Sequence, residues 1–467
     1  METFKLMREI PIEDGYDIVV AGGGPAGSAA AICAARFNLK VLLVEATGCL
    51  GGMGTSGLVT AFDLMADGEK MLVGGFMREL VETMYKRGFL APQVYSDFWQ
   101  KNFQRWTPFK PEGLKVLLDE LSSEAGVEVR FFTQVIDADA AGGKVTGIIL
   151  HNIEGYRYIR AKTFIDATGD AVLADLCGVP CREAGKDTPK IMAGTLCSLC
   201  AGINWNHIRY EEDKEAINWG TARIHEEPLK RALSDGHFTQ HDLFLPGMFQ
   251  IGANLGNLNG GHIFNLNSLR CKSLTEGMML GRKMAMEYIE FYRKYVPGFE
   301  NIEHVTTASL MGVRESRRII GEYELTFDDY MARRQFPDQI GVYNKAVDIH
   351  PYDCSEKDYD RFIKEFLQDA KLREGECFGI PYGILVPRGW TNLWVAGRCN
   401  SSDVKVHGSI RVLPAVVMMG QAAGTAAVQS IKKGESACDL NTANLVETLR
   451  EEGAFLPQKA LSKKMTR

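Results

Sequence analysis

The first strong pattern along the chain is an apolar run, YDIVVA at residues 16–21, followed by three glycines and an alanine-rich stretch over 25–37. A short apolar run bounded by turn residues predicts a strand, and the alanine-rich stretch predicts a helix. A second apolar run, KVLLVE at 40–45, completes a βαβ unit. That unit opens a doubly wound sheet.

Residues 76–107 are predicted helical and aromatic (FMRELVETMY, then VYSDFWQKNFQRW), and a helix over 111–125 leads into VEVRFF. Four short strands then follow, QVIDADA, KVTGIILH, YRYIRA and TFIDATG, with Gly142-Gly143 as a turn signal. They predict an antiparallel meander ending in a core strand. Residues 181–384 change character, with longer polar loops, predicted helices at 273–295 and 314–322, and few βαβ signals. The βαβ style returns in TNLWVAG at 391–397, before a helix over roughly 412–432. The expected division is a discontinuous nucleotide-binding domain at 1–75, 108–180 and 385–435, with 76–107 and 181–384 as a substrate or cap domain. Residues 436–467 are expected to form a C-terminal helix and tail.

Composition narrows the class without changing this picture. The chain has 467 residues, 45% hydrophobic and 24% charged, which excludes disordered and fibrous classes. A net charge of −6 with no polybasic run argues against a nucleic-acid partner. The N-terminal stretch lacks a signal-peptide pattern, and no segment approaches roughly eighteen uninterrupted apolar residues. The eleven scattered cysteines point to reduced thiols, so a cytoplasmic chain with no membrane partner is expected.

Gly22-x-Gly24-x-x-Gly27 follows the first strand directly and opens the helix. In this arrangement Gly22 permits a tight turn, Gly24 a close approach of backbone to a pyrophosphate, and Gly27 close helix–strand packing. Glu45 ends the next strand, where a carboxylate accepts hydrogen bonds from a ribose and disfavours a 2′-phosphate. Between FAD and NAD, the second glycine loop at once downstream (Gly51, Gly52, Gly54 and Gly57) favours the longer ligand, FAD. Ala167-Thr168-Gly169-Asp170 closes the meander where another strand end could meet the dinucleotide.

GGGPAG, VEATGCLGG, TFIDATGD and NLWVAGRCNSSDVKVHGSIRVLPAVVMMGQAAGTAA resemble the FAD-dependent oxidoreductases of the glutathione-reductase-like flavoprotein clan. Within it they are similar to a bacterial FAD-dependent oxidoreductase family related to fumarate reductase and succinate dehydrogenase flavoproteins. MGVRESRRIIGEYELTFDD (311–329) and IPYGILVPRGWTNLWVAGR (380–398) extend the resemblance over nearly the whole chain. It implies an α/β fold: a discontinuous Rossmann-like FAD-binding domain, parallel sheet plus antiparallel meander, with an inserted α+β substrate domain. It also implies FAD contacts from Gly22, Gly24, Pro25, Ala26, Gly27, Glu45 and Ala46, and from Gly51, Gly52, Met53 and Thr55. Further contacts are expected at Val135, Ala167, Thr168, Gly169, Gly397, Arg398, Ser409, Ile410 and Arg411. Arg398 stands where many clan members carry an acid that binds the ribityl chain.

His407-Gly408-Ser409-Ile410-Arg411 resembles the segment that fumarate-reductase-like proteins carry beside the flavin before their last helix. The residues themselves agree with that placement. A helix N-terminus stabilises negative charge on a reduced flavin, and Pro414 fits its first turn. Arg411 is a candidate clamp for a carboxylate or oxyanion, and His407 a candidate acid or base; the alternative for either is contact with the flavin alone. From the inserted region, His262 in NGGHIFN and Arg314 in MGVRES complete the catalytic candidates. Of Arg314, Arg317 and Arg318, one is expected to face a pocket, the others pairing with Glu315 or Glu322 or meeting solvent at helical spacing.

Cys197-x-x-Cys200 has no second pair or His pair to complete a metal site, and Cys49 has no nearby partner, so no metal and no redox disulfide is expected. His207, His225, His237 and His241 lack metal-ligand spacing, and the aromatics over 89–109 suit a lid, a core or a pocket wall. The function expected is hydride exchange between FAD and a small organic substrate bound between the two domains: alcohol or amine dehydrogenation, or alkene reduction. The electron donor or acceptor is of unspecified class, and a homo-oligomer is compatible with the chain. A flavin monooxygenase or halogenase, which would place a lysine or arginine for oxygen chemistry, and a non-catalytic flavin-binding protein are the alternatives.

Overall fold

The computed structural model describes residues 2–101, 103, 105–188, 190–208, 226–242 and 247–457. Parts of the expected cap, 209–225 with His225 and 243–246, lie outside the described residues, as does the end of the tail, 458–467.

The first apolar run is the end of a strand, β1 (Ile12–Ala21), and Ile18 to Ala21 are fully buried. It lies inside a seven-stranded sheet, parallel to β2 (Val41–Val44) on one side and to β3 (Gly155–Asp166) on the other. A strand enclosed on both faces reads as a continuous apolar run, which is why this part of the fold is visible in sequence. The helix α1 (Pro25–Ala35) follows β1 after three glycines.

β3 is one strand where two are predicted. Its first half pairs antiparallel with Lys144–Asn152 and its second half parallel with β4 (Leu393–Val395). The change of partner exposes Arg160 and Lys162 in mid-strand, and those charges interrupt the apolar pattern. The expected turn at Gly142-Gly143 is present, with φ of +59° and +75°, joining Gln134–Ala141 to its neighbour. Two predicted helices are corrected. Residues 314–322 are not helical: Arg317–Ile319 forms a strand paired with Cys181–Glu183, whose backbone supplies the hydrogen bonds. Among the described residues of 76–107 only Gly75–Lys86 and Phe98–Lys101 are helical; Gly88, at φ +68°, ends the first helix and Pro92 blocks its resumption.

Away from the main sheet, Met248–Gln250, Gly256–Leu258, Ser198–Ala201 and Glu303–Thr307 form a four-stranded antiparallel sheet in that spatial order. The long helix Cys271–Tyr295 packs on it, and Cys200, Met248, Leu258, Tyr288, Tyr292 and Phe299 build a second hydrophobic core there.

HGSIR is not a loop before the last helix. Val404–Ile410 forms a short helix of its own, α2, capped by Asp403, which accepts from the Val406 N–H at 2.9 Å. The chain then turns into α3 (Leu413–Lys433), whose residues are buried from Leu413 to Ser430. Among the described residues no single helix is long and apolar enough to cross a membrane.

α3 crosses α1 with only small residues between them. A Cβ on Gly420 would stand 2.0 Å from the Ala26 carbonyl oxygen, and one on Gly424 would stand 2.4 Å from that of Ala30. Backbone cannot yield as a flexible side chain does, so Gly420→Ala should destabilise the fold by about 1–3 kcal/mol. Urea denaturation measures this; an unchanged midpoint would contradict the packing described.

Candidate active site

The ends of β1, β2 and β3, the starts of α1 and α3, and segments of the second sheet enclose one cavity of about 750 Å³. The three glycines of the first loop have separate roles in it. Gly22 has φ +95°, and a Cβ there would stand 2.7 Å from the Ala167 carbonyl oxygen; one on Gly27 would stand 1.8 Å from that of Gly22. Those two are required by the protein's own packing. Gly24 is different: a Cβ on it meets nothing within 4 Å and would project into open space. Gly24 is also the N-cap of α1, with no side-chain cap on the helix, so free N–H groups and the positive end of the helix dipole are available to an anion.

Glu45 lies on the cavity wall and binds two loops at once, accepting from the Gly23 N–H and the Thr47 N–H at 2.7 Å each. A carboxylate retains lone pairs for further donors after two such bonds. Pro25, Ala26, Ala46, Gly52, Met53, Val135, Ala167, Thr168, Gly169, Gly397, Arg398 and Arg411 share the wall with Gly22 and Gly24. Gly27, Gly51, Thr55, Ser409 and Ile410 do not line it and act behind it. Thr55 donates to the Leu50 carbonyl at 2.6 Å, and Ser409 to that of Lys345 at 2.6 Å.

Arg398 is held by the protein. Its guanidinium binds Asp170 and the Val313 carbonyl at 2.6 Å each and the Gly169 carbonyl at 3.0 Å, clamping three cavity segments together. His407 Nε2 lies 2.7 Å from the Arg398 carbonyl oxygen. This histidine is fully buried off the cavity wall; burial, with Arg318 and Arg411 nearby, holds its imidazole well below the usual range and therefore neutral. His262 is also buried behind the wall.

A charged group occupies another part of the same wall. Arg411 Nη2 lies 3.2 Å from the Asp348 carbonyl oxygen and 3.3 Å from its carboxylate. Lys345 Nζ lies 3.2 Å from Asp63 and 3.7 Å from Asp348, and Trp106 donates to Asp63 at 3.0 Å. His350 Nε2 lies 3.2 Å from Asp348. Arg314 lines the cavity and donates to the Ala193 carbonyl; among the described residues it has no carboxylate within ion-pair distance. Burial, then the neighbouring Arg411, lowers it to about 10. Arg317 pairs with Asp175 at 2.8 Å and Arg318 with Asp187, so Arg314 is the arginine of the three that faces the cavity. Arg318 also lies 3.9 Å from Glu315, one of the expected partners, though the segment is not helical.

Lys345, Asp348, His350 and Asp63 are absent from the sequence-based candidates, whereas Trp106 belongs to the aromatics over 89–109 for which a pocket wall is one expectation. The signal for three of them is a dense polar segment inside an apolar context, YNKAVDIHPYD at 343–353. HGSIR positions that segment. A Cβ on Gly408 would stand 2.9 Å from the Asp348 carbonyl oxygen, Ser409 binds Lys345, and Arg411 binds Asp348. Cys197 is on the wall and Cys200 is buried beneath it; burial pushes both thiols up to about 12, so neither is a ready nucleophile.

A glycine cradle open at Gly24, an uncapped helix start and a strand-end carboxylate fit a dinucleotide such as FAD. The site is that of a flavin-binding α/β protein. The chain belongs to the FAD-dependent oxidoreductase family, whose model matches residues 17–449. Among curated proteins it is 26% identical over 205 residues to digeranylgeranylglycerophospholipid reductase 2 of Methanopyrus kandleri, covering 42% of this chain and 46% of that protein. It is 56% identical over 45 residues to dihydrolipoyl dehydrogenase of Trypanosoma brucei brucei, covering 10% of this chain and 9% of that one. The chain thus spans less than half the length of either curated relative. A geranylgeranyl bacteriochlorophyll reductase-like structure from Thermoplasma acidophilum aligns over 94% of this chain and 84% of its own, at 13% identity and a TM-score of 0.46.

Because a side chain at Gly24 has room in the protein alone, Gly24→Val should fold normally and fail to hold FAD, with flavin absorbance per chain falling at least about tenfold. A yellow Gly24→Val protein would remove the loop from the cofactor site. Gly408→Ala should cost about 1–3 kcal/mol, because its methyl group would press on backbone at Asp348. Thermal unfolding checks this loss.

Proposed function

We propose that the enzyme exchanges a hydride between FAD and a small organic anion bound in the shared cavity. The observation that carries this reading is that one cavity holds both the glycine cradle and the Arg314, Arg411 and Lys345 cations. FAD, when bound, supplies the two-electron chemistry. Gly22, Gly24 and the start of α1 would hold its pyrophosphate, and Glu45 its adenosine ribose. Gly52, Met53, Gly169 and Gly397 would run along the rest of the cofactor. Among the described residues Arg314 donates to the Ala193 carbonyl and pairs with no carboxylate, in a buried place where a carboxylate or oxyanion gains a charge-assisted pair. Arg411, fixed by Asp348, would orient that group. His407 serves as support, holding the turn at Arg398.

The expected division also enters here. We take 76–107 and 181–384 as the substrate domain inserted into the FAD-binding domain; a separate sheet and second core support this for residues 196–311, whereas 76–107 and 325–384 pack into the main core. A relation to fumarate reductase and succinate dehydrogenase flavoproteins within the glutathione-reductase-like clan is part of the same proposal. Oxygen transfer or halogenation is a second reading, favoured by Lys345 in the cavity wall. Its ammonium is already engaged by Asp63 and Asp348.

Anaerobic spectra separate the two. Bleaching of the flavin by an organic acid donor supports hydride exchange, whereas consumption of a substrate only with oxygen and reduced flavin supports the second reading. Arg411→Ala should lower turnover at least about tenfold, a loss of roughly 1.4 kcal/mol, with FAD retained. Unchanged turnover would take Arg411 out of the substrate site.

A further inference from the structure

The cavity includes Asp348 and His350, and two more ionisable groups stand in line behind them. His350 Nε2 lies 3.2 Å from Asp348 Oδ1, and His350 Nδ1 lies 2.8 Å from His262 Nε2. His262 Nδ1 in turn lies 3.0 Å from Asp242 Oδ2. Asp242, His262 and His350 are buried, and Asp348 opens to the cavity. The line is built rigidly. The His262 N–H also donates to Asp242 at 3.1 Å, and Gln240 donates to the His262 carbonyl at 2.9 Å.

Each of the three contacts needs one proton to be a hydrogen bond. Two neutral imidazoles bring two, and two ionised carboxylates bring none. A fully bonded line therefore holds one proton more than its resting groups supply.

We propose that Asp242, His262, His350 and Asp348 form a proton relay that exchanges that proton with the substrate, Asp348 being the group at the cavity end. The proposal rests on the reading of the cavity as a hydride-exchange site. Dehydrogenation of a CH–OH or CH–NH group sends a hydride to FAD and releases the O–H or N–H proton, which Asp348 accepts. The line then shifts. In this direction the line starts after its third proton has left, with His350 Nε2 bare: Asp348 gives its proton to His350 Nε2, His350 Nδ1 gives one to His262 Nε2, and His262 Nδ1 gives one to Asp242, which refills the line. Each transfer breaks one O–H or N–H bond and forms another, so one positive charge travels the length of the line. Reduction of a substrate runs the same transfers backwards.

The surroundings bias where the proton rests. Burial, then Arg314, holds His350 well below the ordinary imidazole range. Burial alone would raise Asp348, but His350, Lys345 and Arg411 hold its carboxyl well below the usual value. Both effects push the resting proton away from the His350–Asp348 end. Arg314, Arg411, Lys345 and Asp63 face the cavity end, Phe362 and Phe264 flank the imidazoles, and Tyr288 and Glu287 stand on the Asp242 side.

Nitrogen-15 NMR of histidine-labelled, FAD-loaded protein tests the proton count, with signals assigned from His262→Asn and His350→Gln. At about pH 8, where exposed histidines are neutral, protons are expected at all three contacts, including the one between the two rings. An unprotonated nitrogen pair between the rings, or an unprotonated His350 Nε2, would overturn the relay. In Asp242→Asn the third proton should be lost with FAD content unchanged, and the flavin midpoint potential should depend less steeply on pH. Equal slopes in the two proteins would show that Asp242 is not coupled to the cavity. The NMR measurement needs no substrate, so it succeeds or fails independently of hydride exchange, which anaerobic bleaching tests.

Discussion

The contact between α1 and α3 is the constraint from which the rest of the site follows. Gly420 and Gly424 bring α3 against the backbone of Ala26 and Ala30, so two helices meet with almost no side chain between them. The start of each then lies on the wall of one cavity: Gly24 to Ala26 for α1, Val412, Leu413 and Val416 for α3. Neither helix has a side-chain cap. Two positive helix ends directed at one space favour a ligand that is anionic in its middle and gains negative charge at its far end on reduction. A larger residue at either glycine would separate the two ends and break the site into halves.

The same economy explains how HGSIR works. It does its main work through contacts with a neighbouring segment. Gly408 lets the backbone at Asp348 lie against α2, Ser409 ties Lys345, and Arg411 ties Asp348. His407 anchors the other side by binding the Arg398 carbonyl. Arg398 then joins Gly169, Asp170 and Val313, which reach the meander end and the neighbour of Arg314. One short helix therefore positions the cofactor-side clamp and the charged group together.

The parallel core was legible because its strands are buried on both faces and its helix is packed on most sides, which leaves uninterrupted apolar or small residues in sequence. The glycine fingerprint was legible for a related reason: Gly22 and Gly27 have no room for a Cβ. What failed was pattern in segments that change environment along their length. β3 switches partner midway, and Arg317–Ile319 takes its hydrogen bonds from Cys181–Glu183, far away in sequence. The charged part of the site was hidden for another reason. Lys345, Asp348 and His350 have meaning only once Asp63, Arg411 and His262 are brought beside them, and no local spacing records those contacts.

Burying that many charges is costly unless each is compensated, and the compensation here is uneven. Asp348 receives Arg411, Lys345 and His350, whereas Arg314, among the described residues, has one hydrogen-bond partner, the Ala193 carbonyl oxygen, and the repulsion of Arg411 outweighs the attraction of Asp348. An excess of negative partners would have closed the cluster on itself. Instead the imbalance leaves a cation on the cavity wall that a substrate anion can complete, beside a carboxylate whose own protonation is linked to two buried imidazoles. On the proposed function, binding and proton transfer would fall to neighbouring groups of one wall, and an anion paired with Arg314 would stand close to the carboxylate that takes its proton.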